Sequence, residues 1–388
     1  MMSGSDVISS AAIATLTSLA VCVLIVLTQR WHGRLSLDSD TSGVQKFHKV
    51  PVPRIGGIAL LAALLTVALL APLQDDLRST DRQTLLMLVI AGLPAFTAGL
   101  VEDMTKKVSI NGRLFATIAS ALAACWLSGA VLSRVDVWGI DAVFQWSTTA
   151  AVLFTAVAVA GVANSINIID GFNGIAGSTV IIILAGLGFL GWKAGDPLVV
   201  QLALVGGAAM FGFLLLNYPT GRLFLGDGGA YLAGFWVAEV AILLIARNPS
   251  VSAWQALAVC AYPVIEALYS IYRKLVIRKK SPAVPDKLHL HMLVYRCFIC
   301  KLVPRNDRLP WVRNSLVAVV LALWTGVSTA IAVWLGTGMV SATLIFLVEV
   351  VVYVVIYMRL LEGRLPARNP PSGSMPEMQT ESHVRESL

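Results

Sequence analysis

The feature that most constrains this 388-residue chain is the recurrence of apolar runs about as long as a membrane-spanning helix. A helix needs about 20 apolar residues to cross the hydrocarbon layer of a bilayer. Hydrophobic residues make up 57% of the chain and charged residues only 13%, which excludes an ordinary soluble domain. We therefore predict an all-α polytopic membrane protein with about 11 transmembrane helices. The runs lie at about 7–28, 55–73, 83–101, 114–132, 148–163, 174–192, 198–216, 229–246, 252–272, 315–335 and 339–357.

The basic residues between these runs predict how the chain crosses the membrane. When the loops are numbered alternately, one set carries 24 of the 29 lysine and arginine residues, and the other set carries five. The positive-inside rule places the richer set in the cytoplasm, with the N-terminus outside and the C-terminus inside. Because the basic residues lie between membrane spans and not on a soluble domain, nucleic acid is not an expected partner.

The same pattern predicts one domain and a tail. Residues 1–360 are expected to form an integral-membrane domain, and residues 361–388, rich in proline and charge, a disordered cytoplasmic tail. The larger cytoplasmic loops are expected at 29–54, 102–113, 164–173, 217–228 and 273–313.

Clusters of polar residues fall on the predicted cytoplasmic face, whereas the outer loops carry only scattered charges. Such a one-sided arrangement favours a site that opens to the cytosol. A transport path would place polar groups at mid-membrane and on both faces. The clusters are His48–Gly57, Glu102–Asp103, Asn164–Asn173, Asn217–Gly229 and Asp286–His291.

These clusters have the chemistry of a phosphate-and-metal site. Four carboxylates that converge on one surface, those of Glu102, Asp103, Asp170 and Asp227, would repel unless they bound a divalent cation or kept a proton. Oxygen ligands with positions left for water and phosphate suit magnesium or manganese. The glycine-rich segment 217–229 precedes a helix, so its backbone N–H groups are expected to approach phosphate oxygens.

Each cluster also has a plainer interpretation. Glu102 and Asp103 could be a solvated helix end, and the basic segment 273–313 could bind anionic lipid at about 1 kcal/mol per residue. Glu266, inside an apolar run, could pair with Arg273 about two turns further on. Phe224 could stack on a base or simply anchor its loop. The co-location of the clusters favours the active site.

The motifs, in order, are PxPRxGG, an acidic pair, NxxNxxDGxNG, N-x6-F-x-GDxG and PDxxHxH, over about residues 46–292. This order resembles the polyprenyl-phosphate N-acetylhexosamine-1-phosphate transferases, the superfamily of MraY and the WecA-type enzymes, and its WecA-type branch in particular. The resemblance implies transfer of a HexNAc-1-phosphate from a UDP-activated sugar to undecaprenyl phosphate, with release of UMP. It further implies initiation of a lipid-linked surface glycan, such as O-antigen or cell-wall polysaccharide, at the bacterial cytoplasmic membrane. The oligomeric state is left open, with a homodimer as one alternative.

The resemblance also implies roles for individual residues. Asp227 matches the family's magnesium (or manganese) ligand, with Asp103 as a second, less certain ligand. Glu102 and Asp103 match the paired aspartates that bind or deprotonate the lipid phosphate. Phe224 is expected to stack on uracil, and the histidines to contact the diphosphate or the sugar. The substrate-binding positions are Lys49, Asn164, Asn167, Asp170, Asn173, Asn217, Phe224, His289 and His291.

Three positions depart from the family pattern. The acidic pair is Glu-Asp where Asp-Asp is usual, Asn173 stands where an aspartate is usual, and Met292 stands where a third histidine is found. The last two argue against the peptidoglycan branch and leave the donor open among UDP-GlcNAc and the N-acetylfucosamine and N-acetylquinovosamine forms. Donor choice is expected to be tuned at Asn173.

Two other functions remain open at this stage. The first is a transporter or flippase of an anionic solute, which would need functional residues at mid-membrane, with Glu239 and Glu349 as the main candidates. The second is an inactive member of the same fold, which has lost its activity through Glu102 and Asn173.

Overall fold

The protein is described here by a computed structural model that covers residues 4–38, 51–70, 79–279, 281, 286, 288–306 and 308–363. Lys49, Lys287 and most of the expected tail, residues 364–388, lie outside the described residues. The covered part is an α-helical bundle with one very short antiparallel ladder, in which Leu37 pairs with Pro53 and Asp38 with Val52.

The first nine helices are α1 (Gly4–Ser36), α2 (Gly57–Leu70), α3 (Ser79–Thr105), α4 (Ile110–Ser128), α5 (Trp138–Trp146), α6 (Thr148–Ile169), α7 (Ile175–Ala194), α8 (Pro197–Asn217) and α9 (Gly226–Arg247). The later ones are α10 (Ala253–Val259), α11 (Ala261–Tyr272), α12 (Leu290–Leu293), α13 (Cys300–Leu302), α14 (Val312–Leu335) and α15 (Met339–Leu361). The strands are β1 (Leu37–Asp38) and β2 (Val52–Pro53), and π-helical turns follow α11 (Arg273–Ile277) and α12 (Val294–Ile299).

Nine helices within the described ranges are long and apolar enough to cross a membrane: α1, α3, α4, α6, α7, α8, α9, α14 and α15. α10 and α11 together form a tenth candidate, bent by 85° at their junction, which is a broken span or a re-entrant loop. α2 is apolar but has only 14 residues. The chain is therefore a multi-pass, all-α membrane protein, as predicted. The described residues account for nine or ten of the 11 predicted spans, and the predicted run 55–73 is described only as far as Leu70.

Local sequence signals explain where several helices begin and end. The side chains of Ser109, Ser147 and Asp196 each accept a hydrogen bond from a backbone N–H in the first turn of α4, α6 and α8, respectively. Gly129 and Gly195 end α4 and α7 in the left-handed conformation that glycine adopts readily. These caps fix the lengths of the helices and therefore the positions of the loops at both ends of the bundle.

Helix α9 lies at the centre of the bundle. Nearly all of its side chains are buried, and Phe235 and Trp236 are among the largest of them. A helix that is apolar on all sides is stable only when other helices surround it. α2, α3, α6 and α7 pack around α9. Its first turn therefore lies among the ends of these helices.

Glycines bring the backbones of α2 and α3 into direct contact with the first turn of α9. A Cβ atom on Gly57 would lie 2.3 Å from the backbone nitrogen of Gly229, and one on Gly99 would lie 2.4 Å from that of Gly228. The N–H of Gly57 also donates to the carbonyl of Leu225 at 2.9 Å. The start of α9 is thus held by backbone contacts that no other residue type would permit.

We predict that Gly99→Ala destabilises the protein by about 1–3 kcal/mol, because the new methyl group would overlap rigid backbone atoms of α9. The measurement is thermal unfolding of the purified protein in detergent. Gly207→Ala, inside α8, is the matched control, since nothing lies within 4 Å of its added Cβ and alanine favours a helix. Equal melting temperatures for the two variants would show that the α3–α9 contact is not tight.

Candidate active site

The site is organised around the carboxylate of Asp103, which caps the N-terminus of α9. Its Oδ1 accepts a hydrogen bond from the backbone N–H of Asp227, and its Oδ2 accepts one from Gly228, both at 3.0 Å. Asp103 is only 5% exposed. The sequence predicted that these N–H groups approach phosphate. That prediction is wrong for these two groups, because a carboxylate of the protein already binds them and the glycines serve close packing.

The side chain of Asp227 is surrounded by hydrogen-bond donors and positive charge. Asn167 Nδ2 donates to its Oδ1 at 3.1 Å, and Arg113 donates to its Oδ2. Arg54 Nη2 lies 3.6 Å from Oδ1 of Asp227 and 3.6 Å from Oδ1 of Asp103. The carboxylate of Asp227 keeps 13% exposure, so it borders both the protein and the solvent. We call Asp103, Asp227, Arg54 and Arg113 the carboxylate–guanidinium centre.

The donor set decides which carboxylate fits a divalent cation. Within the described ranges, no three His, Cys, Asp or Glu residues are grouped so as to hold a metal ion. Magnesium does not require such a group, since it keeps several waters and takes one or two carboxylates together with substrate phosphates. Asp227 fits this role better than Asp103, because its side chain keeps 13% exposure and that of Asp103 only 1%; a cation there would displace the guanidinium of Arg113 from Oδ2. Asp103 fits it poorly, because both its oxygens bind the backbone of α9.

Glu102 has a different task from its neighbour Asp103. Its Oε2 accepts the backbone N–H of Val108 at 2.8 Å, which closes the short loop between α3 and α4. The two members of the acidic pair therefore bind different segments of the chain. The extra methylene of glutamate allows its carboxylate to span the loop.

The last turns of α6 carry the asparagines of the NxxNxxDGxNG motif. Asn164 Oδ1 accepts a hydrogen bond from the hydroxyl of Tyr231 on α9, at 3.5 Å, and Asn167 reaches Asp227 one turn further on. Both asparagines thus face α9, and Asn167 belongs directly to the carboxylate–guanidinium centre.

Asp170 ends α6 and is half-buried. Desolvation raises the pKa of its carboxyl to about 7, the positive charge of Arg54 lowers it, and the negative charge of Asp103 raises it further. Asp170 is therefore electrostatically coupled to the centre and holds its proton more tightly than an ordinary aspartate.

Asn217 ties the two polar loops together. Its Oδ1 accepts the backbone N–H of Gly174 at 2.7 Å, and its Nδ2 donates to the carbonyl of Leu223 at 2.8 Å. The side chain is buried, and both of its polar atoms are engaged in these contacts. The structure thus gives Asn217 a structural task that its expected substrate-binding role did not include.

Asn173 extends this connection to α14. Its Nδ2 donates to the carbonyl of Pro219 at 3.1 Å, and its backbone N–H donates to Oδ1 of Asn314 at 2.9 Å. An aspartate at this position would place a carboxylate oxygen against a carbonyl oxygen. The geometry therefore favours the amide over the acid at this position.

A cavity of about 1040 Å³ lies beside these loops. Asn173 and Phe224 line it, as does Tyr295, and the segment 303–314 forms its other wall. Its volume is at the upper end of the range of ligand pockets. Phe224 is half-buried there and presents an aromatic surface to a ligand. The arginines that contribute to the wall are Arg305, Arg308 and Arg313.

The histidines pack against the DGxNG segment. The Nε2 atom of His291 lies 2.7 Å from the place where a Cβ on Gly171 would be, so only glycine permits this approach. The rings of His289 and His291 stack in parallel, with centroids 5.4 Å apart. Burial lowers the pKa of His291 to about 3, and His289 adds to the effect, so His291 is neutral near pH 7.

The partner expected for Glu266 is wrong. Glu266 binds His289, with 2.8 Å between Oε1 and Nδ1, whereas Arg273 pairs with Asp286. Arg273 lies at the start of a π-helical turn, and its guanidinium is directed at the loop that carries the histidines. The i to i+7 spacing that suggested a Glu266–Arg273 pair assumes a regular α-helix, which this segment does not continue.

Sequence reasoning missed Arg113, Glu266 and Asn314 as parts of the site. A signal existed for Arg113, because adjacent buried carboxylates need counter-charges and this arginine lies in the next predicted loop. No pattern pointed to Asn314, which contacts the motif only through the fold. The other expected site residues in the described ranges gather at one end of the bundle through the contacts above.

Comparisons with known proteins agree with the motifs. The model of glycosyl transferase family 4 matches residues 85–245. A probable undecaprenyl-phosphate N-acetylglucosaminyl 1-phosphate transferase of Bacillus subtilis is 24% identical over 254 residues, 65% of this chain and 68% of the relative. A decaprenyl-phosphate N-acetylglucosaminephosphotransferase of Mycolicibacterium smegmatis is 27% identical over 276 residues, 63% of this chain and 65% of the relative.

A third relative represents the peptidoglycan branch. The phospho-N-acetylmuramoyl-pentapeptide-transferase of Streptococcus pneumoniae is 29% identical over 204 residues, which is 50% of this chain and 60% of that protein. The chain thus spans about two thirds of the length of the curated relatives that it matches, or slightly less.

We predict that Asn173→Asp lowers stability by about 1–3 kcal/mol, because the carboxylate cannot donate to Pro219 and leaves its partly buried carbonyl without this hydrogen bond. Thermal unfolding in detergent measures the effect. Asn314→Asp is the matched control, since its Oδ1 only accepts a hydrogen bond and an aspartate preserves that role. A larger loss of stability in the control than in Asn173→Asp would contradict the assignment.

Asp170 generates a prediction about pH. Its raised pKa means that the folded protein keeps a proton that the unfolded chain has released, so this residue makes folding less favourable as pH rises from about 4 to about 7. Asp170→Asn removes the effect. Its melting temperature relative to the wild type should therefore rise across this window, by an amount corresponding to at most about 4 kcal/mol.

Asp286→Asn is the control with the opposite sign, because Arg273 holds the pKa of Asp286 below its usual range. That variant should be less stable than the wild type near pH 7, and the difference should shrink only as pH falls below about 4. A constant difference between Asp170→Asn and the wild type from pH 4 to pH 8 would show that Asp170 titrates normally.

Proposed function

We propose that this chain, a relative of the polyprenyl-phosphate N-acetylhexosamine-1-phosphate transferases, transfers a HexNAc-1-phosphate from a UDP-linked sugar to undecaprenyl phosphate and releases UMP. The reaction would initiate a lipid-linked surface glycan at the cytoplasmic membrane of a bacterium. The observation that carries the proposal is the carboxylate–guanidinium centre, which lies at one end of a membrane-embedded bundle. A lipid acceptor and a soluble donor can both reach such a position.

The cavity lined by Asn173 and Phe224 supports the binding of a nucleotide sugar. It is large enough for a molecule of this size, and it offers the aromatic ring of Phe224 together with arginine side chains. Aromatic rings bind the faces of bases, and arginines bind phosphate oxygens in a fork. Uracil stacking on Phe224 would direct the diphosphate toward the histidines and the centre.

Charge neutralisation is the main catalytic task for this reaction. An oxygen of the lipid phosphate forms a bond to the phosphorus that carries the sugar, and the bond from that phosphorus to the UMP oxygen breaks. The lipid phosphate is already largely a dianion near neutral pH, so a strong base is not needed. Alignment and the stabilisation of the phosphoryl charge then dominate.

The residues of the carboxylate–guanidinium centre would provide the positive charge that stabilises the phosphoryl group. Arg54 and Arg113 provide two guanidinium groups, and Asp227 would hold a magnesium or manganese ion together with waters and diphosphate oxygens. A divalent ion bound there would neutralise charge on the diphosphate. Asp103 is a positioning residue, because it fixes the turn that carries Asp227. Glu102 orders the adjoining loop that leads to Arg113.

The donor is proposed to be a UDP-N-acetylhexosamine. Two of the relatives are named as transferases of an N-acetylglucosaminyl phosphate group to a polyprenyl phosphate. Their names favour UDP-GlcNAc as the first substrate to test. Asn173 and Asn314 lie at the wall of the cavity, where a change of one functional group alters the shape offered to the donor. Donor choice is therefore proposed to depend on this pair.

A transport function is not favoured by the mid-membrane carboxylates. Glu239 is completely buried within α9, and Glu349 receives a hydrogen bond from Ser328 at 2.6 Å between α14 and α15. Among the described residues, neither of these carboxylates contacts the polar clusters. The two therefore do not form a continuous polar path across the bundle.

We predict that purified protein makes a lipid-linked HexNAc-phosphate and UMP from UDP-GlcNAc and undecaprenyl phosphate when a divalent ion is present. Asp227→Asn should reduce the rate by at least about 100-fold, since it removes the carboxylate charge that is proposed to hold the divalent ion. Mass spectrometry of the lipid product and of UMP checks both. Chelation should stop the reaction, and magnesium or manganese should restore it.

Asp141→Asn is the control. Asp141 lies in α5, which precedes the first residue of α6, whereas the site lies at the last turns of α6, and its carboxylate accepts the backbone N–H of Val135. Full activity in Asp227→Asn would remove that residue from the proposed role. Absence of any lipid product with a panel of UDP-sugars, together with solute uptake into sealed vesicles, would favour the transport function instead.

A further inference from the structure

We propose that Glu266, assisted by the hydroxyl of Tyr353, is the positioning residue that fixes the orientation and tautomer of His289 for work on the donor diphosphate. This inference rests on the proposed function for the role of His289. The contact between Glu266 and His289 can be tested without it.

Glu266 makes three hydrogen bonds with its two oxygens. Oε1 lies 2.8 Å from Nδ1 of His289, and Oε2 accepts the backbone N–H of Leu290 at 3.0 Å and the hydroxyl of Tyr353 at 2.8 Å. The side chain has no exposure at all, and it lies in the bent α10–α11 pair. A buried carboxylate is costly unless it is paired and fully hydrogen-bonded, and these three donors meet that need.

This arrangement selects one tautomer of His289. An ionised carboxylate can only accept, so the proton on the imidazole must be at Nδ1. Nε2 is then the nitrogen left to accept a proton from a phosphate oxygen, and once the ring carries this second proton Nε2 donates a hydrogen bond to that oxygen. A carboxylate that fixes the other nitrogen of a histidine is a general means of orienting an imidazole.

The peptide groups on both sides of His289 are held as well. Tyr357 donates its hydroxyl to the carbonyl of Leu288 at 3.0 Å, and Arg273 donates to the same oxygen at 2.8 Å. Glu266 holds the N–H of Leu290 on the other side. His289 is therefore fixed through its ring and through both neighbouring residues, which limits its movement far more than packing alone.

Helix α15 thus takes part in the site through two tyrosines. Tyr353 and Tyr357 are four residues apart, so they lie on one face of the helix; the first donates to Glu266, which holds His289, and the second donates to Leu288 in the loop of the histidines. Both side chains are almost completely buried, whereas much of the rest of α15 is exposed to the membrane. This helix lies outside the region that matches the family model.

The first experiment measures Glu266→Gln with saturating and subsaturating donor. Glutamine preserves the shape, but its single oxygen can face either Nδ1 of His289 or the two donors of Leu290 and Tyr353, and its N–H₂ group must face the other side. We expect kcat to fall by between about 10- and 100-fold, with KM for the donor within about threefold of the wild type. An unchanged kcat would overturn the proposal.

A double-mutant cycle separates positioning from general support of the fold. If Glu266 acts through His289, then Glu266→Gln should cause no further loss of kcat in a His289→Asn background. Losses that multiply would overturn the proposal, since a merely structural residue would reduce the activity of both backgrounds alike.

Tyrosine variants serve if Glu266→Gln fails to fold. Tyr353→Phe removes only the hydroxyl, and we expect a fall in kcat of about three- to tenfold. Tyr269→Phe is the matched control, because this ring packs against Tyr353 and Tyr357 while its hydroxyl is directed at Met358. Equal losses in the two variants would overturn the proposal.

The tautomer provides a readout that does not depend on activity. In protein labelled with ¹⁵N-histidine, the His289 signals, assigned with His289→Asn, should show a protonated Nδ1 in the wild type and a mixture of tautomers in Glu266→Gln. A wild-type His289 protonated only at Nε2 would overturn the proposal. If no UDP-sugar supports turnover, the proposed function fails, while this measurement still decides the Glu266–His289 contact.

Discussion

The site depends first on one interaction, the capping of α9 by the carboxylate of Asp103. The positive end of a helix dipole and two unsatisfied N–H groups attract an anion, and in this chain the anion is a side chain from α3. Such a contact contributes up to about 2 kcal/mol when it is partly buried. It also determines function, because Asp227 is the second residue of α9 and its direction follows from the cap.

A balance of charge follows from this cap. Asp103 and Asp227 bring two negative charges close together, and Arg54 and Arg113 bring two positive charges. Burial raises the pKa of Asp170 to about 7; the positive charge of Arg54 opposes this rise and the negative charge of Asp103 adds to it. The arrival of a diphosphate would add negative charge to a centre that is already balanced, which gives a physical reason for a divalent cation to accompany the donor.

The sequence predicted the membrane fold and the residue clusters well, because both are written in local patterns. Apolar runs reveal helices whatever their partners. The tasks of the polar residues were harder to predict. Asn217 and Asn173 were interpreted as ligands of the nucleotide, yet their side-chain amides form hydrogen bonds to backbone groups of neighbouring loops. A buried amide that ties loops together and one that binds a substrate have the same sequence signature.

The partner of Glu266 shows why the sequence did not predict the contacts of the polar residues. Glu266 has a cation at i+7 and a histidine 23 positions away, and proximity along the chain favours the first. The structure selects the second, because the segment after Tyr272 becomes a π-helical turn and directs Arg273 toward Asp286 and the carbonyl of Leu288. Glu266 and Arg273 then each have a hydrogen-bonded partner of their own, His289 and Asp286 respectively. Satisfaction of buried charge is a property of the whole fold, so it determines which polar residues reach the site and which only support it.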